Sequence, residues 1–397
     1  MTTSAAPQFS PVIEPDAPAP PASPGASPAG FASATASATS AAPYAAPNGA
    51  AGELPLPRNL TFDPADWQIL ARYWYPVALS KDVTEGPLGV TLLDKPLVVY
   101  RVDGEVVVAD DLCPHRGMLL SLGEDQHDGR GIKCPYHGLR FGAQGKCTSI
   151  PAHPRNKIPE KMHLRAYGAV ERYGLVWTCL ARRAGEEEGV AIPPVPHWED
   201  EGFQQINCPY IDVAAFAGRQ VEGFLDVAHF AFVHADSFAD ANNPEVPDYN
   251  PVPTPDGFHT DYWSTMANIP HGVHMDVPDD FLWLRHFHLH VPFSASLVVH
   301  FPEGARLSML NAASPVSAKQ TRLFDARCRN FDTDQPVEDV YAFNKQIFEE
   351  DRAMVEAQKP ENLPLDPKLE VHIPADKSSI AYRRALRDIG LSEFFTA

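Results

Sequence analysis

The sequence predicts an α+β protein of two domains, an all-β unit followed by a larger one that mixes helices with strands. Three observations lead there. The 397 residues exceed one ordinary domain. β-Branched runs broken by Gly turns fill roughly residues 65–180, and from about 217 onward helical and strand patterns alternate without a repeat.

Residues 1–57 are built from Ala, Pro, Ser, Thr and Gly with no Lys or Arg. They hold too little apolar side chain to offset the entropy of ordering them and read as a disordered tail. The two domains are then expected over 58–180 and 181–397. TFDPADWQILARYWYPVA reads as a short helix capped at Asp63, with Trp67, Leu70 and Trp74 at helical spacing. LVVYRVDGEVVVADD is two β-branched runs joined by Asp103-Gly104, a pair that favours two-residue hairpin turns. LRFGAQGKCTSI repeats the pattern with its turn at Gln144-Gly145, and YGLVWTCL at 173–180 reads as a buried strand. In the second domain a helical run spans 217–233 and a Pro/Asn-rich loop 235–256. Strands such as FLWLRHFHLHVPFSASLVVHF follow, then helices near 336–358 and 377–389.

The formal net charge of -19 opposes a phosphate backbone, so nucleic acid is not expected as a partner. No segment is long and apolar enough to cross a bilayer, and the first basic residue is Arg58, which fits neither a secretory signal nor a transit peptide. A soluble, cytoplasmic protein is expected. Six cysteines in so long a chain do not suggest a disulfide scaffold and remain available as thiolates. Charge reverses locally: nine Lys or Arg face four acids between Cys113 and Arg165.

That basic stretch holds CPHRG and CPYHG, two Cys-His pairs each set in a Pro/Gly turn. Two thiolates and two imidazoles can hold tetrahedral zinc, but zinc sites usually draw a C-x-x-C pair from one loop. Here Cys113 comes with His115 and Cys134 with His137, which lets both Cys bind one iron and both His the other. This is the ligand pattern of a Rieske [2Fe-2S] centre, whose neutral imidazoles raise the potential to roughly -150 to +300 mV. Zinc stays the alternative. Eighteen residues separate His115 from Cys134, the surplus falling in the hydrophilic GEDQHDGRG tip, where His127 reads as a solvated loop histidine.

A one-electron cluster needs somewhere to send its electron. In EGFLDVAHFAFVH, Asp226 and His229 are three residues apart on one helix face, whereas His229 and His234 are five apart, about 140° around a helix. Both histidines reach one ion only if the helix ends or loosens between them; otherwise they are helix histidines satisfied by local hydrogen bonds. Two His and one carboxylate on one face form the open site of non-haem Fe(II) oxygenases, which leaves positions for O2. In YAFNKQIFEEDRAMVEAQ the carboxylate on the apolar stripe is Asp351, flanked by Ile347, Phe348, Met354 and Val355. Glu349 looks solvated and Glu350 intermediate. A buried ion pair with an arginine is the competing role for Asp351.

With both motifs in hand, the chain from about 60 to 392 resembles the catalytic subunit of Rieske non-haem iron oxygenases, in the branch of vanillate O-demethylases and methylxanthine N-demethylases. The matching stretches are the two Cys-His loops, FLDVAHFAFVH, IFEEDRAMVEAQ and DKSSIAYRRALRDIG. The resemblance implies an N-terminal Rieske domain and a catalytic domain with an antiparallel sheet of helix-grip type. It implies that His229, His234 and Asp351 bind the mononuclear iron, and that a head-to-tail homotrimer forms in which Asp226 bridges His115 or His137 of a neighbouring subunit's cluster to an iron histidine. It implies hydroxylation or oxidative demethylation of an aromatic or N-heterocyclic compound, with aromatic cis-dihydroxylation or pure electron transfer as alternatives. Where the family commonly has Asn, this chain has Gly223.

No G-x-G-x-x-G fingerprint occurs, so electrons are expected from a separate NAD(P)H-dependent flavin and iron-sulfur reductase or a ferredoxin. The basic stretch suits docking of an acidic donor or a trimer contact. His286, His288 and His290 share one face of a strand. They read as pocket-lining or solvated residues, with a metal stripe as the alternative.

Overall fold

The structure is a computed structural model and describes residues 52–84, 86–186, 189–269, 275–278 and 280–392. Residues 1–51 of the expected tail lie outside the described residues. Residues 52–57, expected to belong to that tail, are instead tied down. The Gln68 side chain accepts from Leu54 N–H and donates to its carbonyl, pairing with the backbone as a strand would, and Leu54 is buried.

Helix α1 (Pro64–Leu70) starts at Asp63, whose carboxylate accepts from the N–H groups of Ala65 and Asp66. Strands β1 (Tyr75–Leu79), β2 (Leu88–Leu92), β3 (Lys95–Val102) and β4 (Glu105–Asp110) follow. Next come the short β5 (Glu124–Asp125), β6 (Ile132–Lys133), β7 (Arg140–Phe141) and β8 (Cys147–Ser149), then β9 (Ala166–Arg172) and β10 (Leu175–Arg183). β1 to β4, β9 and β10 make an antiparallel sheet in the order β1-β10-β9-β4-β3-β2. β5 to β8 form a smaller meander that carries the Cys-His loops. The Asp103-Gly104 turn has positive φ at both residues (49° and 88°), the backbone that matches strand twist and that Gly adopts without strain.

The second sheet comprises β11 (Gln204–Asn207), β12 (Ile211–Val213), β13 (Val252–Thr254), β14 (Gly257–Ser264), β15 (Trp283–His290), β16 (Ser294–His300), β17 (Arg306–Ser317) and β18 (Gln320–Arg329). It is antiparallel, ordered β11-β18-β17-β16-β15-β14-β13, with β12 also on β18. Helices α2 (Ala217–Leu225), α3 (Phe230–Val233), α4 (Val337–Ala357) and α5 (Lys377–Asp388) complete the fold. α2 lies on β16 and β17, α5 on β14, and α4 on β12 and α2, while β1 and β2 of the first sheet pack on β17. The expected 217–233 helix is therefore two helices with a break after Leu225.

One apolar core spans both sheets, from Trp67 and Trp177 to Phe293 and Leu310. The β2–β3 turn docks on the second sheet: Leu93 N–H donates to Pro315 O at 2.7 Å, and Asp94 N–H to Val316 O at 2.8 Å. At the other end Ser392 caps Asp66 through its N–H and hydroxyl. A separate cluster with Val98, Tyr100, Ile132, Leu139 and Phe141 sits under the Cys-His loops.

Candidate active site and metal centres

The two Cys-His loops are near copies of one another. Cys113 N–H donates to Met118 O and Gly117 N–H to Cys113 O; Cys134 N–H donates to Leu139 O and Gly138 N–H to Cys134 O. Gly117 and Gly138 both take φ near 70°, which closes each loop where a side chain would strain it. Asp111 braces the first loop by accepting from Leu120 N–H, Ser121 N–H and the Ser121 hydroxyl at 2.5–2.7 Å.

The turns bury Cys113 and Cys134 and bring the rings of His115 and His137 to 4.5 Å, with His137 at the surface. Burial and the adjoining Cys134 thiol push Cys113 up to about 11. The Cys113 thiol, buried against a second thiol, resists ionising unless a cation neutralises it. His115 Nδ1 is buried with no hydrogen-bond partner. An unsatisfied imidazole nitrogen beside two buried thiols is what a cluster with mixed ligands requires, so these four residues fit one. His127, at the exposed tip with φ 52°, stays out of the site. The tip also occupies Arg140, which is paired with Asp128 at 2.6 Å and mostly covered, so Arg140 is not part of a free basic surface.

In the second domain the break between α2 and α3 resolves the 140° problem. α2 ends with Asp226 as its C-cap; His229 precedes the single turn of α3 and His234 follows it. The two histidines then lie side by side, with Nε2 atoms 3.1 Å apart. Asp351 Oδ1 on α4 comes to 3.0 Å from His234 Nε2 and 3.4 Å from His229 Nε2. Donors at right angles and about 2.1 Å from one ion stand about 3.0 Å apart, and tetrahedral donors about 3.4 Å. The observed edges span these values, so the three side chains could hold one divalent ion on a single face.

Each imidazole is backed by a carboxylate on its other nitrogen. Asp226 Oδ2 is 3.3 Å from His229 Nδ1, and Asp226 Oδ1 accepts from Ala228 N–H. His234 Nδ1–H donates to Glu350 Oε2 at 2.7 Å, and the Ser237 hydroxyl donates to the same oxygen. These bonds select the tautomer that turns Nε2 toward Asp351. Burial alone would lower His229, but Asp226 and Asp351 raise it to about 9. Burial alone would raise Asp351, but bonds from His229 and His234 hold it below its usual range. A divalent cation would satisfy the two Nε2 atoms and the Asp351 carboxylate together. Among the described residues the ion-pair partners of Asp351 are these histidines, not an arginine.

Sequence reasoning left Glu350 undecided, because adjacent helix residues differ by only 100° and Ser237 and His234 approach from another element. It missed the network that fixes α2. Glu222 accepts from Arg383 of α5 at 2.7 and 2.9 Å and pairs with Arg219, and Glu370 binds both arginines. Both arginines are buried. Asp226 lies beside this network in a cleft of about 230 Å³ that also holds His372 and the exposed Val371.

The histidines of β15 do not face the site. Arg285 lies over the Phe230 ring at 5.5 Å and Phe287 meets Phe224 of α2, so residues 285, 287 and 289 point toward the helices. Strand alternation puts His286, His288 and His290 on the opposite face, and the pocket-lining expectation is corrected accordingly.

The fold and the two metal-competent sites define a cluster-bearing oxygenase subunit, and comparisons with known proteins agree. The profile of the Rieske [2Fe-2S] domain matches residues 73–168, and that of the vanillate O-demethylase oxygenase C-terminal domain matches residues 213–390. The methylxanthine N1-demethylase of Pseudomonas putida is 31% identical over 338 residues, 81% of this chain and 90% of that protein. The oxygenase component of dicamba O-demethylase from Stenotrophomonas maltophilia is 35% identical over 164 residues, 41% of this chain and 46% of its own length. The solved structure of Pseudomonas putida NdmA with caffeine superposes with a TM-score of 0.68 at 31% identity, covering 81% of this chain and 91% of that one.

The chain belongs to the Rieske non-haem iron oxygenases, as a terminal oxygenase subunit. Members carry a Rieske cluster and a mononuclear iron, use O2, and work with a separate reductase or ferredoxin on small molecules. Among the described residues no helix is long and apolar enough to cross a membrane.

Proposed function

We propose that this subunit oxidatively demethylates a methylated N-heterocycle or methoxylated aromatic, with Cys113, His115, Cys134 and His137 holding the cluster and His229, His234 and Asp351 the iron. The iron assignment is supported by the convergence of two imidazole Nε2 atoms and one carboxylate oxygen within 3.0–3.4 Å, each imidazole backed by its own carboxylate, and demethylation by the similarity to an N-demethylase over 81% of the chain. When bound, the cluster relays single electrons and the iron supplies O2 activation for hydroxylation. The protein contributes orientation: Asp226 and Glu350 fix the two imidazoles, and Asp351 offers the negative charge. A methyl group on nitrogen or oxygen, once hydroxylated, becomes a hemiaminal or hemiacetal that collapses with loss of formaldehyde.

We propose a cluster domain that runs to about residue 180 and an iron domain beyond it. We also propose a head-to-tail homotrimer in which Asp226 joins the neighbour's cluster histidine to His229. The half-exposed Asp226 carboxylate, open to a cleft beside the exposed Val371, supports that reading. The reductase is taken to be an NAD(P)H-dependent flavin and iron-sulfur protein. The cytoplasm is the proposed compartment, supported by six free cysteines.

Assay with a surrogate reductase across N-methyl heterocycles, methoxyaromatics and their unmethylated parents tests the function. Formaldehyde in step with substrate loss supports demethylation; a cis-diol product without formaldehyde replaces it with ring dihydroxylation.

A further inference from the structure

The face of the second sheet turned away from the iron site carries its own cluster of ligand groups. His288 and His290, two apart on β15, project together from that face with rings stacked 4.2 Å apart. Asp256, in the β13–β14 turn, reaches between them: its Oδ1 is 3.1 Å from His288 Nε2 and its Oδ2 2.7 Å from His290 Nδ1. One donor atom from each of the three residues lies within 4.8 Å of the others.

The surroundings are arranged as they are around metal ligands. The Thr254 hydroxyl donates to Asp256 Oδ1 at 2.8 Å and stands 3.4 Å from His288 Nε2, orienting the carboxylate. On the far side of the buried His290 ring, Nε2 is 3.4 Å from Ser296 Oγ, a partner that would fix Nδ1 as the ligating nitrogen. His259 is the cross-strand neighbour of His288 on β14, and its Nδ1 is buried without a hydrogen-bond partner, but it lies outside the three-residue group. Asp256 itself is half exposed, which leaves a path for an ion from solvent.

We propose that Asp256, His288 and His290 bind a divalent transition-metal ion of the zinc class, separately from the iron site. Two imidazoles and a carboxylate suit zinc, and three protein ligands leave a fourth position for water. The ion would clamp the β13–β14 turn to β15 at the sheet edge. The alternative is a carboxylate held between two histidines by hydrogen bonds alone.

The test uses holoenzyme with its full iron complement, equilibrated with low micromolar zinc chloride and freed of loose metal by gel filtration. Zinc and iron are then measured per chain by emission spectroscopy. The expected result is one zinc per chain with iron and cluster absorption unchanged, lost in Asp256→Asn and in His288→Gln. Zinc should also raise the unfolding temperature of wild type and of neither variant. If Asp256→Asn disturbs the cluster spectrum, His288→Gln decides alone. No retained zinc, equal zinc in the variants, or zinc gained only as iron is lost would each overturn the proposal.

Discussion

Replacing Glu350 by Ala isolates the support behind the proposed iron ligands. The Glu350 carboxylate accepts from His234 Nδ1 at 2.7 Å, and the His234 side chain is only 2% exposed, so water cannot replace the lost acceptor. The variant leaves Nδ1–H unsatisfied and removes the charge that makes Nε2 a stronger donor. Groups in this position change metal affinity by about 10–100-fold, or about 1.4–2.8 kcal/mol. Glu350→Gln keeps an acceptor without the charge and should fall between wild type and Glu350→Ala. The assay is anaerobic equilibrium dialysis against a graded Fe(II) chelator, with cluster absorption as internal standard. Loss of mononuclear iron at lower chelator, with the cluster intact, is the expected outcome. Unchanged iron affinity in Glu350→Ala, while Asp351→Asn lowers it, would refute the assignment of Glu350.

Asp226→Asn should retain iron and cluster but slow substrate-dependent reoxidation of the reduced cluster at least about tenfold, as followed by stopped-flow absorbance. Glu222→Ala leaves the buried Arg219 and Arg383 with Glu370 as their shared acid, and should cost about 3–5 kcal/mol in denaturant unfolding. Gly223→Ala should stabilise α2 by about 0.5–1 kcal/mol, because a Cβ there meets only Val355 Cγ2 at an ordinary 3.5 Å. His300 is lowered to about 4 by burial, then by Arg306 and His286. Its neutral form is favoured in the fold, so the associated stability is present above about pH 6.5 and fades as pH falls toward 4. His300→Gln should flatten the acid limb of a stability-versus-pH curve.

Local chemistry made much of this protein readable in advance. Asp103-Gly104 and the Asp63 cap act within a few residues, and the four proposed cluster ligands sit in two short loops whose Pro and Gly announce their turns. Asp351 was legible because its helix neighbours are apolar while it is charged. What stayed hidden depends on elements meeting in space. The break after Leu225 joins two segments that both read as helical. The Glu222–Arg383 pair bridges 161 residues. The orientation of the histidine strand depends on which sheet face the helices cover, and alternation alone is symmetric about that choice. Within the basic stretch, Arg140 is taken up by Asp128 of the tip, a pairing that depends on the tip folding back. Exposed Lys146 remains a suitable basic residue for that role.

Iron counting in site variants tests the account most directly. Wild-type holoenzyme should contain about three irons per chain, two in the cluster and one mononuclear. Asp351→Asn and His234→Ala should contain about two with the cluster spectrum intact, and Cys134→Ser should lose that spectrum. Three irons retained in both Asp351→Asn and His234→Ala would contradict the account.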